Sequence, residues 1–216
     1  SICIFFIPAL FLPKKFASLG GRLTGYWAEF CVKFILSTNI EITGKENLNH
    51  SDKFFVACTH QSAFETFFLQ TLLKSPFFLL KRELIRIPIF GLFLNKIGCI
   101  SIERNKFKKE NISLMDQISV KIKENENPLI IFPQGSRFSH LERPNFKKGV
   151  SRIYNLNLCC LPIVMNSGEV WPKKGRVLAN KNIKISILKI IEPGMDELEF
   201  LNLLQNKMYD ELDEIV

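Results

Sequence analysis

The sequence contains none of the long segments that mark a membrane-spanning helix, an interdomain linker or a repeat. A full span needs ~20 apolar residues, and the apolar stretch Ile2–Leu12 is too short for this and is interrupted by Pro8. No polar stretch is long enough to separate two independent cores, and the sequence shows no internal repeat or low-complexity tract. The 216 residues therefore predict one domain preceded by an N-terminal appendage.

Several chemical signatures are missing as well. The six cysteines lie mostly within apolar runs, without C-x-x-C spacing or a His/Cys cluster suited to zinc. We therefore interpret them as small core residues in a reducing compartment. The G-x-S-x-G elbow of serine hydrolases is also absent, so Ser136 does not indicate that class of enzyme.

The formal net charge of +8 favours an anionic partner. Nucleic acid, a phospholipid surface and a phosphorylated small molecule are all compatible with this charge. The basic residues are spread along the chain, and no zinc-finger, homeodomain or RNA-binding motif accompanies them. Nucleic acid is therefore the partner that the sequence supports least, and we predict that the chain does not bind it.

Hydrophobic residues make up 47% of the chain, and 20 of its residues are phenylalanines. This composition can build a sizeable core and still leave apolar surface for lipid. The basic pair Lys14-Lys15 follows Ile2–Leu12, and Phe16–Leu36 is again rich in aromatic residues. Ile2–Leu12 fits the end of a longer spanning helix, a signal-peptide remnant or an interfacial anchor. We favour monotopic anchoring, and the alternative is that both segments are ordinary core helices.

From Ile40 onward, strand-like segments alternate with helix-like ones, which predicts a layered α/β domain with a mostly buried central sheet flanked by helices. The predicted helices are Ala63–Leu73, Lys106–Glu124 and Met195 to about Leu212. The predicted strands are short, apolar or β-branched: Ile40–Thr43, Phe54–Cys58, Phe77–Leu80, Ile97–Ile102, Leu129–Phe132, Leu158–Val164 and Ile183–Ile191. We place the N-terminal membrane-associating segment at residues 1–38 and the α/β domain at residues 39–216.

His60 and Glu65 follow the strand Phe54–Cys58 directly. If a helix begins near Ser62, the turn can bring the two side chains together. A carboxylate bonded to one ring nitrogen leaves the other nitrogen free to take a proton from a hydroxyl. The spacing alone also fits a histidine with a packing or capping role, so the pair is a weak signal by itself.

Two further clusters suit the binding of an anion. In Phe132–Arg137, Gly135 permits unusual backbone geometry and Arg137 offers a fork of donors that fits phosphate. Lys81 follows one predicted strand and Arg104 follows another. For any one of these basic residues, an ordinary solvated surface position is the simpler interpretation.

The fourth cluster is the strand Cys160–Val164 with Pro162 inside it, which favours an edge strand or a bulge. It leads into Asn166-Ser167-Gly168 and Trp171. Taken together and in this order, the four clusters resemble the blocks of the glycerolipid acyltransferase family typified by bacterial 1-acyl-sn-glycerol-3-phosphate acyltransferases (PlsC-type). Lys-Arg-Glu-Leu, Ile-Pro-x-x-Gly and the Phe-Lys-Lys-Gly of residues 146–149 add to the resemblance, which covers roughly Ile40 to Ile191.

The resemblance implies a role for each block. His60 is the catalytic base that deprotonates the glycerol hydroxyl, and Glu65 orients it. The residues that bind the acceptor and its phosphate are Lys81, Arg104, Gln134, Gly135, Ser136 and Arg137. Pro162 and Ile163 match the block assigned to packing or acyl-donor contact. No metal or prosthetic group is implied.

The implied reaction transfers an acyl chain from acyl-ACP or acyl-CoA to the sn-2 hydroxyl of 1-acyl-sn-glycerol 3-phosphate. The product is phosphatidic acid, and the expected place is the cytoplasmic face of a bacterial inner membrane. Two positions depart from the family pattern, because Glu65 replaces an aspartate and Gln134 replaces a glutamate. These departures leave two alternatives: another lysolipid acceptor, such as a lyso-ornithine lipid, or a non-catalytic lipid-binding membrane protein.

Overall fold

Short apolar and β-branched segments form the strands, in the order the sequence predicts. The computed structural model describes residues 7–50, 52–73, 75–102, 111–124 and 127–216. The strands are β1 (Asn39–Thr43), β2 (Phe54–Cys58), β3 (Phe77–Lys81), β4 (Ile100–Ile102), β5 (Leu129–Ile131), β6 (Cys159–Met165) and β7 (Asn182–Ile187). Each predicted strand is confirmed: Phe54–Cys58 has the predicted bounds, and the ends of the others are shifted by a few residues.

The helices are more numerous than the sequence predicts. They are α1 (Lys14–Phe30), α2 (Phe64–Leu72), α3 (Arg82–Ile85), α4 (Phe90–Ile97), α5 (Asn111–Glu124), α6 (Gly149–Tyr154) and α7 (Glu197–Ile215). A π-helical segment, Cys31–Ile35, continues α1, and short 3-10 turns cover Ile7–Leu10, Lys45–Leu48 and Ser167–Glu169. Within the parts of the chain that the structure describes, no helix is both long and apolar enough to cross a bilayer.

The chain divides into two compact units. The first unit comprises the residues up to Trp27 together with Phe67–Ile130, and the second comprises Ala28–Thr66 together with Ile131–Val216. The division of the chain at residues 38 and 39 stays a prediction.

The first unit holds strands in the order β5-β3-β4, and both pairings are parallel. The predicted strand Ile97–Ile102 begins later than expected, because Ile97 is the last residue of α4. Gly98 ends that helix with a φ of 96°, a left-handed conformation that glycine adopts without steric cost. The chain then enters β4 at Ile100.

The second unit holds strands in the order β1-β7-β6-β2. The β1–β7 and β2–β6 pairs are parallel, and the β6–β7 pair is antiparallel. Every residue of β6 is buried, which is typical of a strand with both faces covered. α7 packs against β6 and buries Phe200 and Leu204 on its apolar face. Asp196 caps this helix by accepting the Leu198 N–H at 2.8 Å.

Pro162 lies in an interior strand of the second unit and not at an edge. Cys160 bridges Ile191, whereas Ile163 pairs with Ile187. Two residues of β6 therefore face three residues of the opposite segment, which is the bulge that the sequence offered as one of two interpretations. The irregular pairing tolerates a proline, since proline has no N–H to donate to a regular ladder.

Candidate active site

His60 is held just beyond the carboxyl end of β2. Thr59 fixes this end, since its hydroxyl accepts the Met165 N–H at 2.9 Å and donates to the Met165 carbonyl at 3.3 Å. The His60 N–H donates to Gln134 Oε1 at 2.7 Å, and the His60 carbonyl accepts the Phe138 N–H at 3.0 Å. The backbone of His60 is thus fixed on both sides before its ring makes any contact.

Two neighbours determine how the His60 ring is oriented. The ring stacks on Phe132, with 3.9 Å between the ring centroids and 16° between the planes. Nδ1 lies 3.2 Å from Glu65 Oε2. The carboxylate favours the tautomer with the proton on Nδ1. Nε2 is then the nitrogen that can accept a proton, and the side chain is 17% exposed, so a substrate hydroxyl can reach it.

Glu65 is completely buried, and its two oxygens are bonded by groups of the second unit. The Gln61 N–H donates to Oε1 at 3.1 Å, and the Ser62 N–H donates to both oxygens at 2.9 and 3.0 Å. The Ser167 hydroxyl donates a further short hydrogen bond to Oε1. A buried carboxylate with this many hydrogen-bond donors cannot rotate freely, so it holds the His60 ring in one position.

Ser62 and Glu65 also form a helix-capping arrangement at the start of α2. Ser62 Oγ accepts the Phe64 N–H at 3.0 Å, while the Glu65 carboxylate reaches back to the Ser62 N–H. This is a variant of the capping box, in which the serine oxygen accepts the N–H two residues on instead of three. The S-x-x-E signature at residues 62–65 is the sequence signal for it. The Glu65 side chain therefore both caps the start of α2 and orients the His60 ring.

Ser167 is the residue that the sequence did not assign to the site. It follows β6 in the Asn-Ser-Gly segment, 102 positions after Glu65 along the chain. Gly168 lies beside it, and a Cβ at that position would come within 2.8 Å of the Gln61 Cβ. The Gly168 N–H donates to Gln61 Oε1 at 3.0 Å. No local sequence pattern predicts this contact, because only the pairing of β2 with β6 brings the two segments together.

The turn after β5 carries the predicted anion-binding residues. Gly135 has a φ of 72°, and its N–H donates to the Phe132 carbonyl at 2.9 Å, which closes the turn. The Lys147 N–H donates to the Pro133 carbonyl at 2.8 Å, so the Phe-Lys-Lys-Gly segment supports the same turn. Ser136 and Arg137 are partly exposed. Arg137 can thus offer its guanidinium to a bound anion.

Gln134 is buried and has neighbours that suit an amide. Its oxygen accepts the His60 N–H, and its side chain also bonds the Tyr209 hydroxyl. That hydroxyl donates a short hydrogen bond to the Pro144 carbonyl, so the amide must donate to it. Burial raises the pKa of Tyr209 to about 12, although Gln134 and the Arg143 guanidinium oppose the shift. An ionised glutamate at position 134 would have no proton to donate to the Tyr209 hydroxyl.

Cys58 is the nearest thiol to this cluster along β2. Burial, reinforced by the charge of Glu65, raises the pKa of Cys58 well above its ordinary value. The thiol is therefore neutral at physiological pH and is a poor nucleophile. His60 Nε2 remains the atom of this cluster that can accept a proton from a substrate hydroxyl.

The other predicted site residues have different positions. Pro162 and Ile163 are buried in β6, where they pair with Ala57 and Cys58. They therefore support the strand that carries His60. Lys81 is exposed at the end of β3, in the first unit. Arg104 lies outside the described residues, so its predicted role stays a prediction, as does that of Lys81.

The order of these elements can be compared with known proteins. A family model described as Acyltransferase matches residues 39–166, more than half of the chain. This chain belongs to the acyltransferase family. The matched region contains His60, Glu65 and the turn after β5.

Two curated relatives carry the name 1-acyl-sn-glycerol-3-phosphate acyltransferase. The protein from Pseudomonas aeruginosa is 31% identical over 69% of this chain and 59% of its own length. The protein from Saccharomyces cerevisiae is 27% identical over 85% of this chain and 63% of its own length. The chain thus spans about three fifths of the length of these relatives.

A solved structure shares the fold. It is the crystal structure of the 1-acyl-sn-glycerophosphate acyltransferase PlsC from Thermotoga maritima. The TM-score is 0.77 at 17% sequence identity, and the match covers 98% of this chain and 88% of that one. The predicted layered α/β fold with a central sheet flanked by helices is therefore confirmed, and the sheet is mostly parallel.

Proposed function

We propose that this chain transfers an acyl group from acyl-ACP or acyl-CoA to the sn-2 hydroxyl of 1-acyl-sn-glycerol 3-phosphate, forming phosphatidic acid. The observation that carries the proposal is the contact of 3.2 Å between His60 Nδ1 and the buried Glu65 carboxylate. The names of the curated relatives support the choice of reaction.

In the proposed reaction His60 Nε2 takes the proton of the acceptor hydroxyl while its oxygen attacks the thioester carbonyl carbon. The tetrahedral intermediate then collapses, and the carbon–sulfur bond breaks. The leaving thiolate takes the proton from His60, so no proton is gained or lost overall. Glu65 stabilises the imidazolium that exists between the two steps. The Ser136 amide, in the partly exposed turn after β5, is of the kind that stabilises an oxyanion, whereas the Gly135 N–H already bonds the Phe132 carbonyl.

Arg137 is the best-supported ligand for the acceptor's phosphate. It lies five residues beyond Phe132, the residue on which the His60 ring stacks. A guanidinium suits phosphate because two of its N–H groups can bond two phosphate oxygens. Lys81 and Arg104 are the other proposed phosphate ligands, and only the family resemblance supports them.

We also propose that the N-terminal segment binds the surface of a phospholipid membrane. Phe11 is 86% exposed and Trp27 is 55% exposed, and further apolar side chains of α1 are exposed between them. The basic residues Lys14, Lys15 and Arg22 are interspersed among these side chains. Exposed aromatic residues with lysine and arginine are typical of helices that lie at the lipid interface. The cytoplasmic face of a bacterial inner membrane stays a prediction.

An acceptor panel tests the proposed reaction. The purified chain is supplied with acyl-ACP or acyl-CoA and with 1-acylglycerol 3-phosphate, 1-acylglycerol or a lyso-ornithine lipid, and the products are identified by mass spectrometry. We expect phosphatidic acid to form fastest, and turnover to fall when the phosphate is removed. Faster acylation of the lyso-ornithine lipid would replace the proposed acceptor, and lipid binding without thioester consumption would contradict the reaction.

An Arg137→Leu variant tests the binding role separately. We expect the KM for 1-acylglycerol 3-phosphate to rise about tenfold or more, because a charge-assisted hydrogen bond contributes roughly 1.5–3 kcal/mol. The variant Arg176→Leu replaces an exposed arginine elsewhere in the second unit and serves as the control. An unchanged KM in the Arg137 variant would mean that Arg137 does not hold the phosphate.

A further inference from the structure

A group of side chains of the types that bind metals lies at the opposite end of β2 from His60. His50 and Asp52 precede the strand, and Cys159 begins β6, where it pairs with Phe54. One potential ligand atom from each of these three side chains lies within 4.8 Å of the others. The sequence predicts no metal site, because Cys159 is more than a hundred positions from His50 and Asp52 and the three residues follow no motif spacing.

Glu192 contacts two members of this group, although it is not among the three side chains whose ligand atoms all lie within 4.8 Å of one another. Its Oε1 lies 3.4 Å from His50 Nε2, and its Oε2 accepts a hydrogen bond from the Cys159 thiol at 3.1 Å. Glu192 follows the bridge between Cys160 and Ile191, so the sheet itself places it beside Cys159. The four residues come from the loop before β2, the start of β6 and the segment after β7.

We propose that His50, Asp52, Cys159 and Glu192 form a binding site for Zn²⁺. A thiol, an imidazole and two carboxylates are the ligand types that zinc takes in proteins. Calcium and magnesium prefer sites made of oxygen alone, so the thiol and the imidazole favour a transition metal. When the metal binds, the Cys159 thiol gives up its proton to solvent and a sulfur–zinc bond replaces the hydrogen bond to Glu192.

The separations among His50, Asp52 and Cys159 suit a tetrahedral ion after a small adjustment, and the Glu192 side chain has to turn towards Asp52 to complete it. Zinc–ligand bonds of about 2.0–2.3 Å place two ligands roughly 3.3–3.8 Å apart. The contacts of Glu192 with His50 and Cys159 are already close to this range. The most distant pair of the other three donors has to approach by about 1 Å. Asp52 and Glu192 are exposed, so their side chains can move this far without disturbing the core.

The site is remote from the proposed chemistry. The five residues of β2 put about 16 Å between the two ends of the strand. A zinc ion here would hold the loop before β2 against β6 and against the segment after β7. Its expected effect is to stabilise the folded second unit, since a ligand that binds only the folded state raises the melting temperature. This inference does not depend on the proposed function.

The test uses the 216-residue chain without a metal-binding tag. After treatment with a chelator, the protein is dialysed against Zn²⁺, and the bound metal is measured by mass spectrometry. We expect one tightly bound ion per chain, and a melting temperature that rises with the Zn²⁺ concentration. With Co²⁺ in place of Zn²⁺, we expect the ultraviolet charge-transfer band of a cobalt–thiolate bond.

Variants identify the ligands. Cys159→Ser should remove the charge-transfer band, and His50→Gln should abolish stoichiometric binding. Glu192→Gln and Asp52→Asn change exposed side chains, and we expect each to weaken binding roughly 10- to 100-fold. Circular dichroism verifies that each variant is folded.

Two control variants lie outside the group. Cys31→Ser removes a partly exposed thiol, and His140→Gln removes a histidine of the loop after β5. Both should bind Zn²⁺ like the original chain. The proposal is overturned if the original chain binds no stoichiometric Zn²⁺, if its Co²⁺ form lacks the thiolate band, or if Asp52→Asn and Glu192→Gln both bind Zn²⁺ with unchanged affinity.

Discussion

The two ends of β2 carry similar side chains in different surroundings. At the carboxyl end, His60 contacts Glu65, whose side chain is 0% exposed and is bonded by backbone and hydroxyl donors. At the amino end, His50 contacts Glu192, whose side chain is 61% exposed. A carboxylate whose lone pairs are occupied by the protein can orient a histidine, but it has little capacity left for a metal. An exposed carboxylate keeps that capacity.

Of the variants at the two ends of β2, the one at His60 should have the largest effect. We expect His60→Ala to reduce the rate of acyl transfer roughly 100- to 10,000-fold, the range that general acid–base catalysis contributes. The measurement is the turnover of 1-acylglycerol 3-phosphate under saturating thioester. His140→Ala serves as the control and should retain the original turnover, because its side chain has no part in the site. Similar rates in both variants would remove His60 from the mechanism.

Glu65→Gln tests whether the buried carboxylate is needed as a charge. The amide nitrogen of glutamine would face N–H donors at Gln61, Ser62 or His60, and it cannot accept their hydrogen bonds. We expect turnover to fall 10-fold or more and the free energy of unfolding to fall by about 1–3 kcal/mol. Urea denaturation measures the second quantity. A Glu65→Asp variant keeps the charge and should retain more activity than Glu65→Gln.

Ser167→Ala removes one donor to the carboxylate while leaving the others in place. We expect a loss of turnover of about 10-fold, since a hydrogen bond to a charged group contributes roughly 1.5–3 kcal/mol. The pH profile of kcat/KM should shift as well, because Ser167 acts on His60 through Glu65. Ser186 is also a buried, hydrogen-bonded serine of the second unit, and Ser186→Ala is the matched control. Equal pH profiles for the two variants would assign Ser167 a purely structural role.

Asp52→Asn, at the amino end of β2, should have the smallest effect on stability of these variants. Asp52 is exposed at the amino end of β2, so without metal we expect the free energy of unfolding to change by no more than about 0.5 kcal/mol. Urea denaturation in the presence of a chelator gives the value. A loss as large as that of Glu65→Gln would mean that the two ends of the strand are equally constrained.

Much of the fold could be predicted because strand and helix patterns are local. Phe54–Cys58 has the predicted bounds, and Glu197–Ile215 differs from the prediction mainly by continuing beyond Leu212. The short helices Arg82–Ile85 and Phe90–Ile97 were not predicted, since few residues repeat a helical pattern within one or two turns. The start of Ile100–Ile102 depends on the left-handed conformation of Gly98. A glycine can adopt this conformation but need not, so the sequence does not predict it.

The site was predictable where its residues are near in sequence. His60 and Glu65 are five positions apart, and the structure brings them into contact. The bond from Ser167 to Glu65 joins β6 to the turn after β2, and the cluster around Cys159 likewise joins distant segments. Contacts of this kind depend on strand order, which no local pattern specifies. The carboxylate ligands of the proposed zinc site carry no signal either, because isolated exposed acidic residues are common.

A double-mutant cycle on His60 and Glu65 tests the central claim most directly. The rate of acyl transfer is measured for His60→Ala, for Glu65→Gln and for the variant carrying both changes. If Glu65 acts through His60, the double variant should be no slower than His60→Ala alone. If the losses of the two single variants multiply instead, Glu65 acts independently of His60, and the proposed base with its orienting carboxylate is contradicted.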